Sequence, residues 1–286
     1  TIETNNNNNN NASSQVEACF SGESSVQVRT TNSRNNNGGV GTTTTTVLMN
    51  DLQLGDEVLT HDGTFQKVYS FAHRHESLRT EYLQIFTTVS PSEKPLQITA
   101  NHLVFTADGK AVSASEIRVG DELKAITTTA NNNILLHVPE VTTVISIGYT
   151  YQNGLYAPFT MSGTIVVDQI VASSYAYASF DRHHSNRYYY LFNNNNNYHW
   201  IAHLMQFPHR TFCRTMSSCW CRKESYDEDG FSRWARILYD GYSWLEAQNT
   251  LLVLTTCGVV LFVVPFLVVC GVVVKLLFRG RIHFRK

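Results

Sequence analysis

The chain has no surplus of charge. Its 22 Lys and Arg balance 23 Asp and Glu, for a net charge of -1 over 286 residues. That balance points to neither a nucleic acid nor an acidic ligand as partner. A basic-then-apolar signal is missing from the start, which begins at Thr1, so the sequence reads as the C-terminal part of a longer precursor. Metal-site spacing is also lacking. Cys213, Cys219 and Cys221 include no Cys-x-x-Cys pair, and a disulfide or palmitoylation suits them better than zinc. Charge itself is missing between Glu246 and Lys275.

That last gap is informative. Residues 251–274 form an apolar run long enough for a bilayer of about 30 Å, and Pro265 and Gly271 are tolerated in such helices. The tail 275–286 is basic, while Asp240 and Glu246 precede the run. The positive-inside rule therefore predicts a single span with a cytosolic tail and everything upstream lumenal or extracellular.

Low-complexity tracts divide the rest. Residues 1–17 are an Asn-rich leader with little to bury. It contains the sequon Asn11-Ala12-Ser13, a glycosylation candidate in the secretory pathway. A polar tract at 30–46 predicts an expanded surface loop. Asn193–Asn197 marks a boundary near residues 185–186. Between the tracts, short runs rich in Val, Ile, Thr and aromatics are separated by turn signals such as Asp62-Gly63, Asp108-Gly109 and Asn153-Gly154, so the domain is mostly β. Leu52-Gln53-Leu54-Gly55-Asp56-Glu57-Val58 recurs as Ile117-Arg118-Val119-Gly120-Asp121-Glu122-Leu123, which implies duplicated β-subdomains with pseudo-twofold symmetry. Residues 186–250 are aromatic and partly helical. Helices are predicted from His199 towards Phe212, ending at Pro208, and from Phe231 to Glu246.

The chemistry rests on Cys19 and on Thr99-Ala100-Asn101-His102. A thiol can attack the carbonyl on its own N-terminal side, turning the Ala18–Cys19 amide into a thioester. A histidine titrates near neutrality and can protonate the leaving nitrogen, and a threonine hydroxyl can hold the peptide. Taken singly, each residue has an ordinary packing reading.

Together these stretches resemble the Hint family, the autoprocessing domains of hedgehog proteins and inteins, and the hedgehog branch in particular. Cys19-Phe20 with Glu23-Ser24 is similar to the hedgehog cleavage junction. The Leu52–Leu59 hairpin entry, Thr99–Val104, Ala157–Thr160, Gly163–Val167 and Ala172–Ala176 follow in family order. The resemblance implies self-cleavage at Ala18–Cys19, with Cys19, Thr99 and His102 catalytic. It also implies transfer of the upstream polypeptide to cholesterol, another lipid alcohol or water, with no cofactor beyond that sterol. Two positions depart from it. His73 stands where an aspartate activates the sterol, and Ser174 where hedgehog proteins carry a second cysteine. His73 is thus a candidate base for the acceptor. Gly230-Phe231-Ser232-Arg233-Trp234 is similar to the last hedgehog helix, in a region that recognises sterol. Splicing is disfavoured, since Ser174-Tyr175 offers no His-Asn. The alternative function is a membrane-anchored Hint-like scaffold that has lost its chemistry.

Overall fold

The computed structural model describes residues 19–32, 41–89, 94–131, 134–176, 198–215 and 226–246. Within it the two Gly-Asp-Glu segments fold alike, bond for bond. Each follows a single 3-10 turn, Met49–Asp51 or Ala114–Glu116. Gly55 and Gly120 take φ of +95° and +94°, where a Cβ would be strained. Their N–H groups donate to Val68 and Val144 carbonyls, both at 2.8 Å. The carboxylates of Asp56 and Asp121 accept from the N–H groups of Gln53 and Arg118 at 2.8 and 2.7 Å. One turn is thus built twice, as the repeat implies.

From these corners run β1 (Ser25–Asn32), β2 (Gly41–Leu48), β3 (Glu57–Leu59), β4 (Phe65–Lys67), β5 (Ser70–Thr87) and β6 (Leu96–Ile98). Then come β7 (His102–Phe105), β8 (Ala111–Ser113), β9 (Glu122–Asn131), β10 (Ile134–Phe159), β11 (Thr164–Val167) and β12 (Ile170–Ala176). The sheet runs β4-β3-β1-β11-β12-β9-β10-β5-β6, with β2 on β1 and with β7 joining β12 to β8. One cluster including Phe20, Leu52, Val58, Phe71, Ile85, Ile98, Val104, Leu123, Tyr156, Ile165 and Ile170 fills the interior. Each such side chain contributes about 1.5–3 kcal/mol when fully buried.

Two expectations need correction. The 30–46 tract is not simply a loop: β1 and β2 pair from Ser25↔Leu48 to Asn32↔Gly41, because β-branched threonine suits a pleated strand. Asn153-Gly154 does not end a strand. Gly154, at φ +89°, sits at a register shift between Asn153 and Leu155, so the glycine serves as a bulge inside β10. The helix expected to stop by Pro208 does so: α1 is Tyr198–Met205, and a separate helix α2, Phe207–Thr215, starts with Pro208 in a first turn that needs no donor from it.

Contacts group the chain as Thr1–Arg233 and Trp234–Lys286. Helix α1 packs on β12. Helix α3 (Arg233–Glu246) continues into the second unit. Among the described residues no helix is long and apolar enough to cross a membrane. The expected leader with Asn11, the span 251–274 and the tail 275–286 lie outside the described residues.

Candidate active site

Cys19 enters between two strands and is pinned on both sides. Phe20 N–H donates to Tyr156 O at 2.8 Å, and Tyr156 N–H donates back to Phe20 O at 3.1 Å. Phe20, fully buried, locks this entry into the main core. The Cys19 side chain is also fully buried, against Tyr82, Leu155 and Ala157, and it is a thiol rather than half of a disulfide.

Thr99, just past β6, brackets the same residue. Its N–H donates to Cys19 O at 3.0 Å, while its Oγ1 accepts from Cys19 N–H at 2.8 Å. That nitrogen is the leaving atom if the bond to Ala18 breaks. Ala18 itself lies outside the described residues. His102 opens β7, its N–H donating to Thr99 O at 3.1 Å. The spacing of Thr-x-x-His therefore forms one turn at the strand junction. The His102 ring lies 4.3 Å from the Phe20 ring, and its Nε2 sits 2.8 Å from Ser173 O. A carbonyl only accepts, so Nε2 carries a proton.

His73 joins this group from β5. Its Nδ1 lies 3.3 Å from Cys19 Sγ, and its Nε2 meets the carbonyl of Asp229. By the same logic Nε2 donates, which leaves the Nδ1 lone pair facing the thiol. Burial lowers the affinity of His73 for a proton, outweighing the opposite pull of the Asp229 carbonyl. His73 is therefore neutral at pH 7 and ready to accept one. Thr99 and His73 thus each meet Cys19, and His102 adjoins the group through Thr99 and Phe20.

Ser174 is buried, and its N–H donates to Gly163 O at 2.8 Å. Its Oγ has no hydrogen-bond partner among the described residues. Cys213 is disulfide-bonded, whereas Cys219 and Cys221 lie outside the described residues.

Sequence reasoning missed a supporting layer. Ser173, whose carbonyl holds His102, also bonds His199 Nδ1 through its Oγ at 2.9 Å. Tyr175 reaches His203 Nδ1 at 2.9 Å, and burial pushes the Tyr175 hydroxyl up to about 12. Burial holds His199, His203 and His209 down at about 4. The aromatic residues of α1 thus help fasten it to β12 behind His102. Asp229 was missed too, since it acts through a carbonyl 156 positions from His73.

Residues 6–247 match the Hint module family. Warthog protein 6 of Caenorhabditis elegans is 28% identical over 167 residues, covering 55% of this chain and 24% of that protein. Sonic hedgehog protein of Danio rerio is 26% identical over 215 residues, covering 71% and 46%. Among solved structures, the DnaX mini intein from Spirulina platensis is 18% identical with a TM-score of 0.39, covering 55% of this chain and 99% of that one. The chain spans less than half the length of these two curated relatives. It belongs to the Hint family, as a Hint domain of the hedgehog C-terminal type.

Proposed function

We propose that this domain cuts its own precursor at Ala18–Cys19 and passes the upstream polypeptide to a sterol, another lipid alcohol or water. The observation that carries this reading is the pair of contacts on one residue. Thr99 Oγ1 holds the Cys19 nitrogen at 2.8 Å while His73 Nδ1 faces the Cys19 sulfur at 3.3 Å.

In the first step the thiol proton passes to His73 Nδ1 and Cys19 Sγ attacks the Ala18 carbonyl carbon. As the C–N bond breaks, the Cys19 nitrogen takes a proton from Nδ1 of His102 in its protonated form, which is left neutral, and becomes an amine. The product is an Ala18 thioester on Cys19. His73 then gives the thiol proton up to water. In the second step an acceptor O–H gives its proton to the neutral His73 Nδ1, its oxygen attacks the thioester, and the departing Cys19 thiolate takes that proton from His73 to become a thiol again. A histidine here brings no fixed negative charge, so dependence on sterol is weaker than with an aspartate. The aromatic residues of 198–215 favour a lipid acceptor over water.

Mass spectrometry of a tagged precursor tests the reading. Dithiothreitol or hydroxylamine accelerates cleavage at Ala18–Cys19, and Cys19→Ala and His102→Ala leave the chain whole. Rapid cleavage of Cys19→Ala would overturn the mechanism. Running His73→Asp with and without sterol in detergent then tests the acceptor: added aspartate increases sterol transfer. Full sterol transfer by the parent, unchanged in His73→Ala, would remove His73 from this step.

Hedgehog-type membership supports a secretory route, and the apolar run at 251–274 supports single-pass anchoring with a cytosolic tail. Retention of the domain in the pellet after carbonate extraction, with the tail open to protease from the cytosolic side, is the expected result. A soluble domain or a lumenal tail would refute that topology.

A further inference from the structure

The segment 226–232 returns from far along the chain to the face of His73. Gly230 O accepts from Arg74 N–H at 2.8 Å, and Ser232 N–H donates to Ala72 O at 3.0 Å, so 230–232 pairs with 72–74 like a short added strand. Between those bonds Phe231 lies flat on the His73 ring, with centroids 4.4 Å apart and planes 9° from parallel. Asp229 O meets His73 Nε2. The turn is closed from within. Gly230 N–H donates to Asp227 O at 2.9 Å, Asp227 N–H donates to Phe231 O at 3.0 Å, and Phe231 N–H donates to Asp227 Oδ1 at 2.8 Å.

What this contact decides follows from the chemistry of imidazole. A carboxylate accepts through either oxygen and has nothing to orient. A neutral histidine accepts through one nitrogen only, and the bond made by the other nitrogen selects which. With Nε2–H held by a carbonyl, the lone pair is at Nδ1, on the Cys19 side. In the opposite tautomer Nδ1–H would point at the sulfur and no proton could be taken from it. A histidine in this place therefore needs a fixed acceptor behind it, and the 226–232 turn supplies one.

We infer that the 226–232 turn is a positioning element of the autoprocessing centre, with the Asp229 carbonyl and the Phe231 ring holding His73 in the tautomer and orientation that serve Cys19. This rests on the reading of Cys19 as nucleophile and His73 as its base. Gly230 is the point at which to disturb it. It takes φ +87°, and a Cβ there would lie 2.7 Å from His75 Cβ and 2.8 Å from both His73 Cδ2 and Nε2. Gly230→Ala pushes the turn off the ring while leaving Cys19, Thr99 and His102 intact.

The experiment measures dithiothreitol-driven cleavage of the full tagged precursor in four forms: parent, Gly230→Ala, His73→Asp and the double variant. Gly230→Ala slows the parent by roughly tenfold or more, as a mis-set histidine tautomer does in a catalytic triad. In the His73→Asp background the same change costs less than about twofold, because a carboxylate has no tautomer to fix. Equal losses in both backgrounds, or no loss in the parent, overturn the inference. A parent that does not cleave at all defeats the underlying reading instead.

Should His73→Asp be inactive, the pH profile of Gly230→Ala decides. The Asp229 carbonyl raises the proton affinity of His73, so its loss moves the acid limb of cleavage to lower pH. The titratable groups that bear on His73, namely His75, Asp227 and Asp229, all remain. A loss uniform across pH would show mere damage to the fold. Phe231→Tyr, which keeps the stack, retains the parent rate, whereas Phe231→Ala does not.

Discussion

Replacing Thr99 by valine separates holding the scissile peptide from merely packing beside it. Valine has nearly the shape of threonine, so the buried site keeps its volume, and only the hydroxyl that accepts from Cys19 N–H at 2.8 Å is lost. In the ground state that bond is neutral and worth about 1 kcal/mol net. As the C–N bond breaks and the nitrogen gains a proton, the bond becomes charge-assisted and roughly twice as strong. The transition state thus loses about 1 kcal/mol more than the ground state, which is about a fivefold fall in rate. Folding is affected separately. Cys19 and Thr99 are both buried, and a buried N–H left without an acceptor costs about 1–3 kcal/mol. The assay is dithiothreitol-driven cleavage of the precursor at pH 7, alongside thermal melting of a Cys19→Ala background that stays uncut. Thr99→Val slows cleavage about fivefold, and Thr99→Ser restores most of the rate. A Thr99→Val precursor that cuts at the parent rate, or a serine variant as slow as the valine one, would refute the role of the hydroxyl.

Acid should loosen the packing behind His102. His199, His203 and His209 bind a proton less readily folded than unfolded, at about 4 in each case. Their stability is whole above about pH 6.5 and is lost as pH falls towards 4. For buried His199 the shift corresponds to about 3 kcal/mol, with less from partly exposed His203. Melting temperatures that stay flat between pH 7 and 4.5 would contradict this. Gly55→Ala and Gly120→Ala should each destabilise by about 1–3 kcal/mol through backbone strain alone, since nothing lies within 4 Å of an added Cβ at either site. Unequal losses in denaturant titration would show that the two turns are not energetic equivalents. Gly163→Ala should cost more, because its Cβ would fall 2.6 Å from His203 Nδ1 and 2.7 Å from the Tyr175 ring. Limited proteolysis should then cut α1 sooner, and an unchanged digestion pattern would count against the docking.

Much of the site was legible because its spacing is local. Thr99 and His102 are joined by one backbone bond of 3.1 Å, so four consecutive residues dictate their relation. The duplicated turn was legible for a similar reason, each copy needing a glycine and a carboxylate at fixed offsets. His73 was legible as a departure from a pattern, but its contact with sulfur was not, since pairing of β10 with β5 decides which end of an 18-residue strand meets Cys19. Asp229 left no signature at all. Its carbonyl does the bonding, and every residue has one. Threonine misled in the opposite direction. In 42–46 a polar, low-complexity composition suggests a loop, while the β-branched side chain favours the strand that forms.

The His73–Asp229 bond also imposes an order on biosynthesis. The proposed nucleophile, Cys19, is made first, and Asp229, which completes its proposed base, is made some 210 positions later. Until the ribosome has passed residue 232, the added strand against 72–74 cannot form, and no other described segment supplies the carbonyl behind His73. On the proposed reading, the Ala18–Cys19 bond is therefore protected until that turn is made. A domain that cuts itself in the proposed way is thereby kept from acting before its base is complete.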